Sequence, residues 1–195
     1  MSTVNRLQAR QEAIQVARAE IELKPVYLDT ETTGLESNDE IVDICVLDHD
    51  GAVLVDSLVN PQRKIPRDAM RIHGITDQMV KNAPSWADIW PEVEAALVGR
   101  RVAIYNAEFD VRMMRQSHQK YRMHWGLRDT SYVCIMKLYA QFCGEWNYSY
   151  SSWRWQKLET AGRQCRIALP NAHRARADTL LAREVLRYMA AFDFR

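Results

Sequence analysis

The chain has 195 residues, 47% hydrophobic and 26% charged, with only 7 Gly and 6 Pro; this is the make-up of one globular domain with its own core, not of a disordered or fibrous chain. No apolar run approaches the roughly 20 residues of a membrane helix, and the opening "MSTVNRLQARQEAIQVARAE" lacks the apolar stretch of a secretory signal, so no membrane partner and a cytoplasmic location are expected. The net charge of +1 excludes nothing, but between Val26 and Asn60 there is no Lys or Arg and there are nine acids, Asp29, Glu31, Glu36, Asp39, Glu40, Asp43, Asp48, Asp50 and Asp56, a pattern that suits a cation-binding centre beside a more basic surface for a polyanion.

The first element is a helix over residues 5–24, with Leu7, Ile14, Ala17 and Ile21 on one stripe and Pro25 ending it. This segment reads as a helical extension, residues 1–24, ahead of a domain over residues 25–195. Strands follow at 26–31, in "EIVDICVLD" and, after the turn chemistry of "DHDG", in "AVLVDSLVN". "AMRIHGITDQMVKN" reads as two short helical turns with Thr76 as a cap, and Ser85 caps a helix from Trp86 to Leu97. "RRVAIYN" is a short buried strand before a helix over 108–121. Asp129 or Thr130 then opens a helix running to about Phe142. A polar and aromatic stretch, "GEWNYSYSSWRWQ", precedes a helix over 156–165 and a last one over 174–191. Early hairpin strands followed by alternating strands and helices make a mixed α/β sheet domain. Cys45, Cys134, Cys143 and Cys165 form no C-x-x-C pair and read as free thiols. His49, His118 and His124 read as surface residues.

Several carboxylates fall where apolar residues belong. On a strand, Tyr27, Asp29 and Glu31 share one face, so the two acids of "VYLDTETTGL" point together near the strand's carboxyl end, where α/β sheets build their sites. In the 108–121 helix, Asp110 shares a stripe with Met113, Met114 and Tyr121; in the last helix, Asp178 lines up with Leu181, Ala182, Val185 and Met189. Each acid also has an ordinary structural reading. Asp29 could begin a turn, Glu31 a loop, Asp110 could answer the helix dipole, and Asp178 could pair with a neighbouring arginine. All four ordinary readings at once make the weaker account. Four carboxylates within about 4 Å would repel by about 4 kcal/mol per pair at an effective dielectric near 20. Divalent cations relieve that repulsion, and hard oxygen ligands select Mg²⁺ or Mn²⁺.

"DTETTGL" (29–35), "NAEFD" (106–110) and "HRARAD" (173–178) resemble, in order and spacing, the three motifs of the DEDDh, or DnaQ-like, 3′–5′ exonucleases. That family includes proofreading exonuclease subunits, RNase T and oligoribonuclease. The resemblance runs from about Val26 to Ala191 and takes in "IHGIT" (72–76). It implies an RNase H-like fold, a mixed five-stranded sheet flanked by helices. It implies that Asp29, Glu31, Asp110 and Asp178 hold two Mg²⁺ or Mn²⁺ ions, with His173 as the general base, a role that a histidine's ordinary pKa suits. The family's other branch carries Tyr where this chain has Arg174, so the histidine branch is indicated. His73 is a rival base, better suited to ordering a loop beside the site. Asp129 reads as an N-cap or a supporting acid. Tyr105 stands where the second motif often has His, which predicts altered packing or substrate contact.

The same resemblance implies that Thr32, Thr33, Gly34 and Leu35 grip a terminal nucleotide, with Asn106 and Phe109 as the opposite wall. Plain core packing is the alternative for Leu35 and Phe109. The substrate implied is a single-stranded or frayed 3′ end, DNA ahead of RNA. A homodimer or a polymerase-type, nucleic-acid-processing partner is compatible with it. The alternatives are an RNase H-like endonuclease, a silent nucleic-acid-binding or scaffolding domain, and an enzyme of short oligonucleotides. "WNYSYSSWRWQK" interleaves Trp146, Tyr148, Tyr150, Trp153 and Trp155 with Arg154 and Lys157. It reads as rings that mostly cover the domain's own core, with a single-strand platform as the other reading.

Overall fold

A five-stranded mixed sheet organises the protein, whose computed structural model describes residues 3–168 and 173–193. Strands β1 (Val26–Thr32), β2 (Ile41–Leu47) and β3 (Val53–Leu58) form an antiparallel meander, and β4 (Arg101–Ile104) and β5 (Ser131–Cys134) extend it parallel to β1, in the order β3-β2-β1-β4-β5. This is the RNase H-like arrangement that the resemblance implied. A β-bulge interrupts the β1–β2 register between Glu31 and Thr32. Such an irregularity bends a strand and re-aims its side chains, and here it falls at the carboxyl end of β1.

The alternation of β1 decides what each face packs against. Val26 and Leu28 face one core, with Val102, Ile104 and residues of α4 (Trp86–Leu97) and α5 (Ala107–Lys120). Tyr27 faces the other, with α1 (Thr3–Glu22), α6 (Ile135–Cys143) and α8 (Ala175–Ala191). A third, smaller core gathers Val42, Ile65, Ile75 and Val80 beneath α2 (Arg67–His73) and α3 (Asp77–Val80). Between α6 and α8 lie a short hairpin, β6 (Trp146–Asn147) and β7 (Ser152–Trp153), and α7 (Leu158–Gln164). Ser85 and Asp88 form a reciprocal capping box at the start of α4.

Helix α1 is built into this architecture. Ala13, Ile14 and Ala17 are buried against α6 and α8, whereas Leu7, placed on the apolar stripe by periodicity, is exposed. Arg18 donates to the carbonyls of Ala190, in the last turn of α8, and Phe192, just past its end, and Arg101 grips Glu20 with two hydrogen bonds.

Three sequence expectations are corrected. The helix expected from Asp129 or Thr130 begins only at Ile135; residues 131–134 are strand β5, completing the sheet beside β4. Asp129 is exposed and caps no helix. His118 is buried, not on the surface. It lies four residues after Met114 on the inner face of α5, where its ring is enclosed by Trp86, Trp90 and Trp125. Of the acids in the first third, Asp39, Glu40, Asp43, Asp48 and Asp56 pair with Arg63, Lys120, Arg174, Arg100 and Arg176. Much of the charge asymmetry is therefore absorbed by ion pairs between early strands and later elements.

Candidate active site

Asp29 and Glu31 stand apart from those paired acids. Neither side chain accepts a hydrogen bond from any described residue, and no described Lys or Arg lies within ion-pair distance of either. They point to the face of the sheet covered by α8, and the first turn of α8 brings Asp178 to them. One carboxylate oxygen from each of Asp29, Glu31 and Asp178 lies within 4.8 Å of the others.

Asp110 reaches the same place from the opposite layer. Its helix, α5, covers the face to which Thr30 points, and Asp110 Oδ1 accepts from Thr30 N (3.1 Å) and Thr30 Oγ1 (2.7 Å). Its charge is the largest carboxylate influence on Asp29 after burial. The structure thus gathers Asp29, Glu31 and Asp178 at ligand spacing and sets Asp110 beside Asp29, held back by Thr30.

The electrostatics follow from burial and mutual repulsion. Burial and then the charges of Asp110, Glu31, Asp178 and Asp43 hold the Asp29 carboxyl well above the ordinary carboxylate range. Burial, then Asp178, Asp43 and Asp110, push Glu31 up to about 8. Burial raises Asp110 to about 7 despite the two Thr30 hydrogen bonds, and raises Asp178 despite the His173 backbone beside it. A cluster that resists its own ionisation is suited to an added positive charge. Three oxygen ligands that converge without a protein cation fit a hard divalent ion.

These shifts set a pH dependence. The folded protein holds protons that the unfolded chain releases, so stability falls as pH rises from the ordinary glutamate value of 4.5 to about 8, the Glu31 value. In EDTA, the melting temperature is therefore expected to be lower at pH 8.5 than at pH 6. Saturating Mn²⁺, which binds the ionised form, will flatten or reverse that trend. Scanning calorimetry at the two pH values checks this, and a pH-independent melting temperature in EDTA contradicts it.

His173 lies two residues before the start of α8, ahead of the capping position Arg174, and is exposed. Its backbone has φ +68°, in the left-handed region, and its N–H donates to both carboxylate oxygens of Asp178 (3.3 and 3.2 Å). The next two residues are anchored by an acid that the sequence left without a role. Asp43, opposite Glu31 on β2, accepts at Oδ2 from Arg174 Nε (2.8 Å) and from Ala175 N (3.3 Å). Asp43 thus caps α8 from the sheet. The signal was available only as one acid inside an otherwise apolar strand, since its partner lies 131 residues away.

The rim is formed by the residues after the first motif. Thr33 is fully buried: its Oγ1 donates to Asp39 Oδ1 (2.7 Å) and accepts from Glu40 N (3.0 Å). Thr32 Oγ1 donates to the Gly34 carbonyl. The Asp39 carboxylate also accepts from Glu36 N and lies so close to Gly34 that a Cβ there would meet Asp39 Oδ2 at 2.4 Å. Glycine is required by this packing inside the loop. Leu35 is 70% exposed, and its carbonyl accepts from Arg112 Nη1 (3.2 Å). Phe109 is half-buried beneath the Arg112 guanidinium, and Asn106 is exposed at the start of α5. Tyr105 is buried and donates to the Gln156 carbonyl (3.0 Å). His73 is buried; its Nδ1 accepts from Ile75 N (3.0 Å), and burial lowers its pKa despite the Thr32 backbone beside it. The other acidic group, Asp48, His49 and Asp50, lies in the β2–β3 turn, where Asp48 is bound to Arg100.

Comparison with known proteins agrees with this geometry. A family model described as "Exonuclease", of the RNase T group, matches residues 26–186. An uncharacterized exonuclease of Escherichia phage 186 is 36% identical over 182 residues, covering 90% of this chain and 93% of its own. DNA polymerase III subunit epsilon of Treponema pallidum is 29% identical over 170 residues, 84% of this chain and 74% of its own. Among solved structures, exonuclease X in complex with 5′ overhanging duplex DNA superposes with a TM-score of 0.62 at 26% identity, covering 84% of this chain and 90% of that one. With the family model matching residues 26–186 and a relative aligned over 90% of this chain, the chain belongs to the DEDDh, or DnaQ-like, exonucleases and is a nuclease of that family.

Proposed function

We propose that the protein is a divalent-metal-dependent 3′–5′ exonuclease that removes nucleoside 5′-monophosphates from single-stranded or frayed 3′ ends. The observation that carries this reading is the convergence of Asp29, Glu31 and Asp178 within 4.8 Å, without a protein cation to neutralise them, beside the exposed His173. In this reading those three acids, with Asp110, hold two Mg²⁺ or Mn²⁺ ions. When bound, such ions neutralise charge on the attacking and leaving oxygens of an in-line phosphoryl displacement.

The protein's own residues supply the rest. The His173 imidazole takes the proton of the attacking water. The water oxygen bonds to phosphorus as the 3′-oxygen of the preceding nucleotide leaves. Asp178 and Asp43 hold residues 173–175, so the base is presented from an anchored stretch of backbone. Leu35, exposed on a loop pinned by Arg112, wedges against the terminal base, with Phe109 and Asn106 across from it. Thr32, Thr33 and Gly34 contribute backbone, since their side-chain positions are committed to the loop itself. DNA ranks ahead of RNA because the names of the epsilon relative and of the exonuclease X complex both specify DNA.

The test is degradation of 5′-labelled single-stranded DNA and RNA with Mg²⁺, Mn²⁺ or EDTA. A metal-dependent ladder shortening from the 3′ end is expected, faster on DNA. Polymers left intact while dinucleotides are cleaved would move the activity to short oligonucleotides. No cleavage of either would remove the catalytic reading.

A further inference from the structure

The aromatic segment after α6 does not cover the core as the sequence suggested. Trp146 and Trp153 pair across the β6–β7 hairpin, ring centroids 5.0 Å apart and nearly perpendicular, and both are only half-buried. Tyr148, Tyr150 and Trp155 are 70%, 80% and 58% exposed. Large rings so exposed and so close in sequence on a small protein mark a contact surface.

Its position ties it to the site. The Gln156 carbonyl accepts the Tyr105 hydroxyl, and Tyr105, buried in the core beneath α6 and α8, directly precedes the second motif that carries Asp110. Arg154 and Lys157 flank Trp155, both exposed and neither paired with an acid among the described residues. Exposed rings interleaved with uncommitted cations suit a chain of flat bases and phosphates, the rings stacking on bases while the cations follow the backbone.

We propose that residues 146–157 form a second binding site, a platform on which bases of a single strand upstream of the terminal nucleotide stack. Tyr150 and Trp155 supply ring faces there, and Arg154 and Lys157 follow the phosphates. This deepens the exonuclease reading and rests on it for the direction of the strand. DNA and RNA share the chemistry, and the two polymers form the arms of the test.

The experiment measures binding and cleavage separately. Fluorescence anisotropy in EDTA, with labelled oligothymidylate and oligouridylate of about 20 nucleotides, is expected to show at least about 10-fold weaker binding for Y150A/W155A. R154A/K157A is expected to flatten the salt dependence of affinity by about 1.4 in the log–log slope, the release from two phosphate contacts. In Mg²⁺, the Y150A/W155A loss in kcat/KM is expected on the long strand and not on a dinucleotide, which has no upstream bases to stack. Equal losses at both lengths, or unchanged affinity and salt slope, overturn the platform. So does a change in oligomeric state on size exclusion with oligonucleotide affinity unchanged, which would make the face a protein interface. Failure of wild-type cleavage with intact, platform-dependent binding overturns the exonuclease reading alone.

Discussion

Asp29→Asn is expected to abolish hydrolysis, by at least about 10³-fold, and at the same time to make the metal-free protein more stable. The two effects share a cause. Asp29 sits among Asp110, Glu31 and Asp178, all of which raise its pKa, and it accepts no hydrogen bond from a described residue. An amide of the same size removes the repulsion and breaks no bond, so a gain of about 1–2 kcal/mol, or a few degrees in melting temperature, is expected in EDTA. Mn²⁺ will raise the melting temperature of the wild type and much less that of the variant, because a ligand is gone. Asp110→Asn makes the contrast. It is also expected to lose activity, but Thr30 N and Thr30 Oγ1 both donate to Asp110 Oδ1, so its metal-free stability will not rise in the same way. Calorimetry with and without metal on both variants checks the pair. A metal-free Asp29→Asn protein less stable than wild type would show that Asp29 has a structural partner and is not held in reserve for a cation.

The parts of the site that were legible in the sequence are those in which a carboxylate breaks a local period. Asp29 and Glu31 share a strand face because strands alternate, and Asp178 interrupts an otherwise apolar helical stripe whose members Leu181, Ala182, Val185 and Met189 are all buried. What was hidden needed either a distinction that periodicity does not make or a partner far along the chain. "SYVCIMKLYAQFC" passes from β5 into α6 with no turn residue between them, and a continuous apolar run does not separate a four-residue strand from a helix. His118 was assigned outward by residue type, although its spacing from Met114 placed it inward; the surrounding tryptophans accommodate an imidazole whose pKa burial lowers. Asp43 looked like one more acid of an acidic third. Its role depends on strand pairing that sets it opposite Glu31 and on Arg174 from the far end of the chain. The sheet's meander turned much of a linear charge bias into ion pairs, and of the acids on its three early strands Asp29 and Glu31 have no such partner among the described residues.

His173→Ala is expected to lower kcat by about 10² to 10⁴-fold, the usual worth of a positioned general base, while leaving the metal-induced rise in melting temperature intact. Asp43→Ala tests whether the base must be positioned. Asp43 touches neither the scissile bond nor, in this reading, the ions; it holds Arg174 and the first N–H of α8, next to the residue at φ +68°. A left-handed backbone at a non-glycine residue persists only where its neighbours fix it. Releasing Arg174 and Ala175 is therefore expected to free the His173 loop and lower kcat about 10-fold or more with little change in KM. Arg174 is 43% exposed at its side chain, so the charge left behind is solvated and the stability cost stays near 1 kcal/mol. The double variant decides between positioning and general damage. If Asp43 acts through His173, Asp43→Ala adds nothing to the loss already caused by His173→Ala. Multiplicative losses would mean that Asp43 supports the carboxylate cluster directly, and the 173–175 anchor would then be a consequence of the fold and not a device of the reaction.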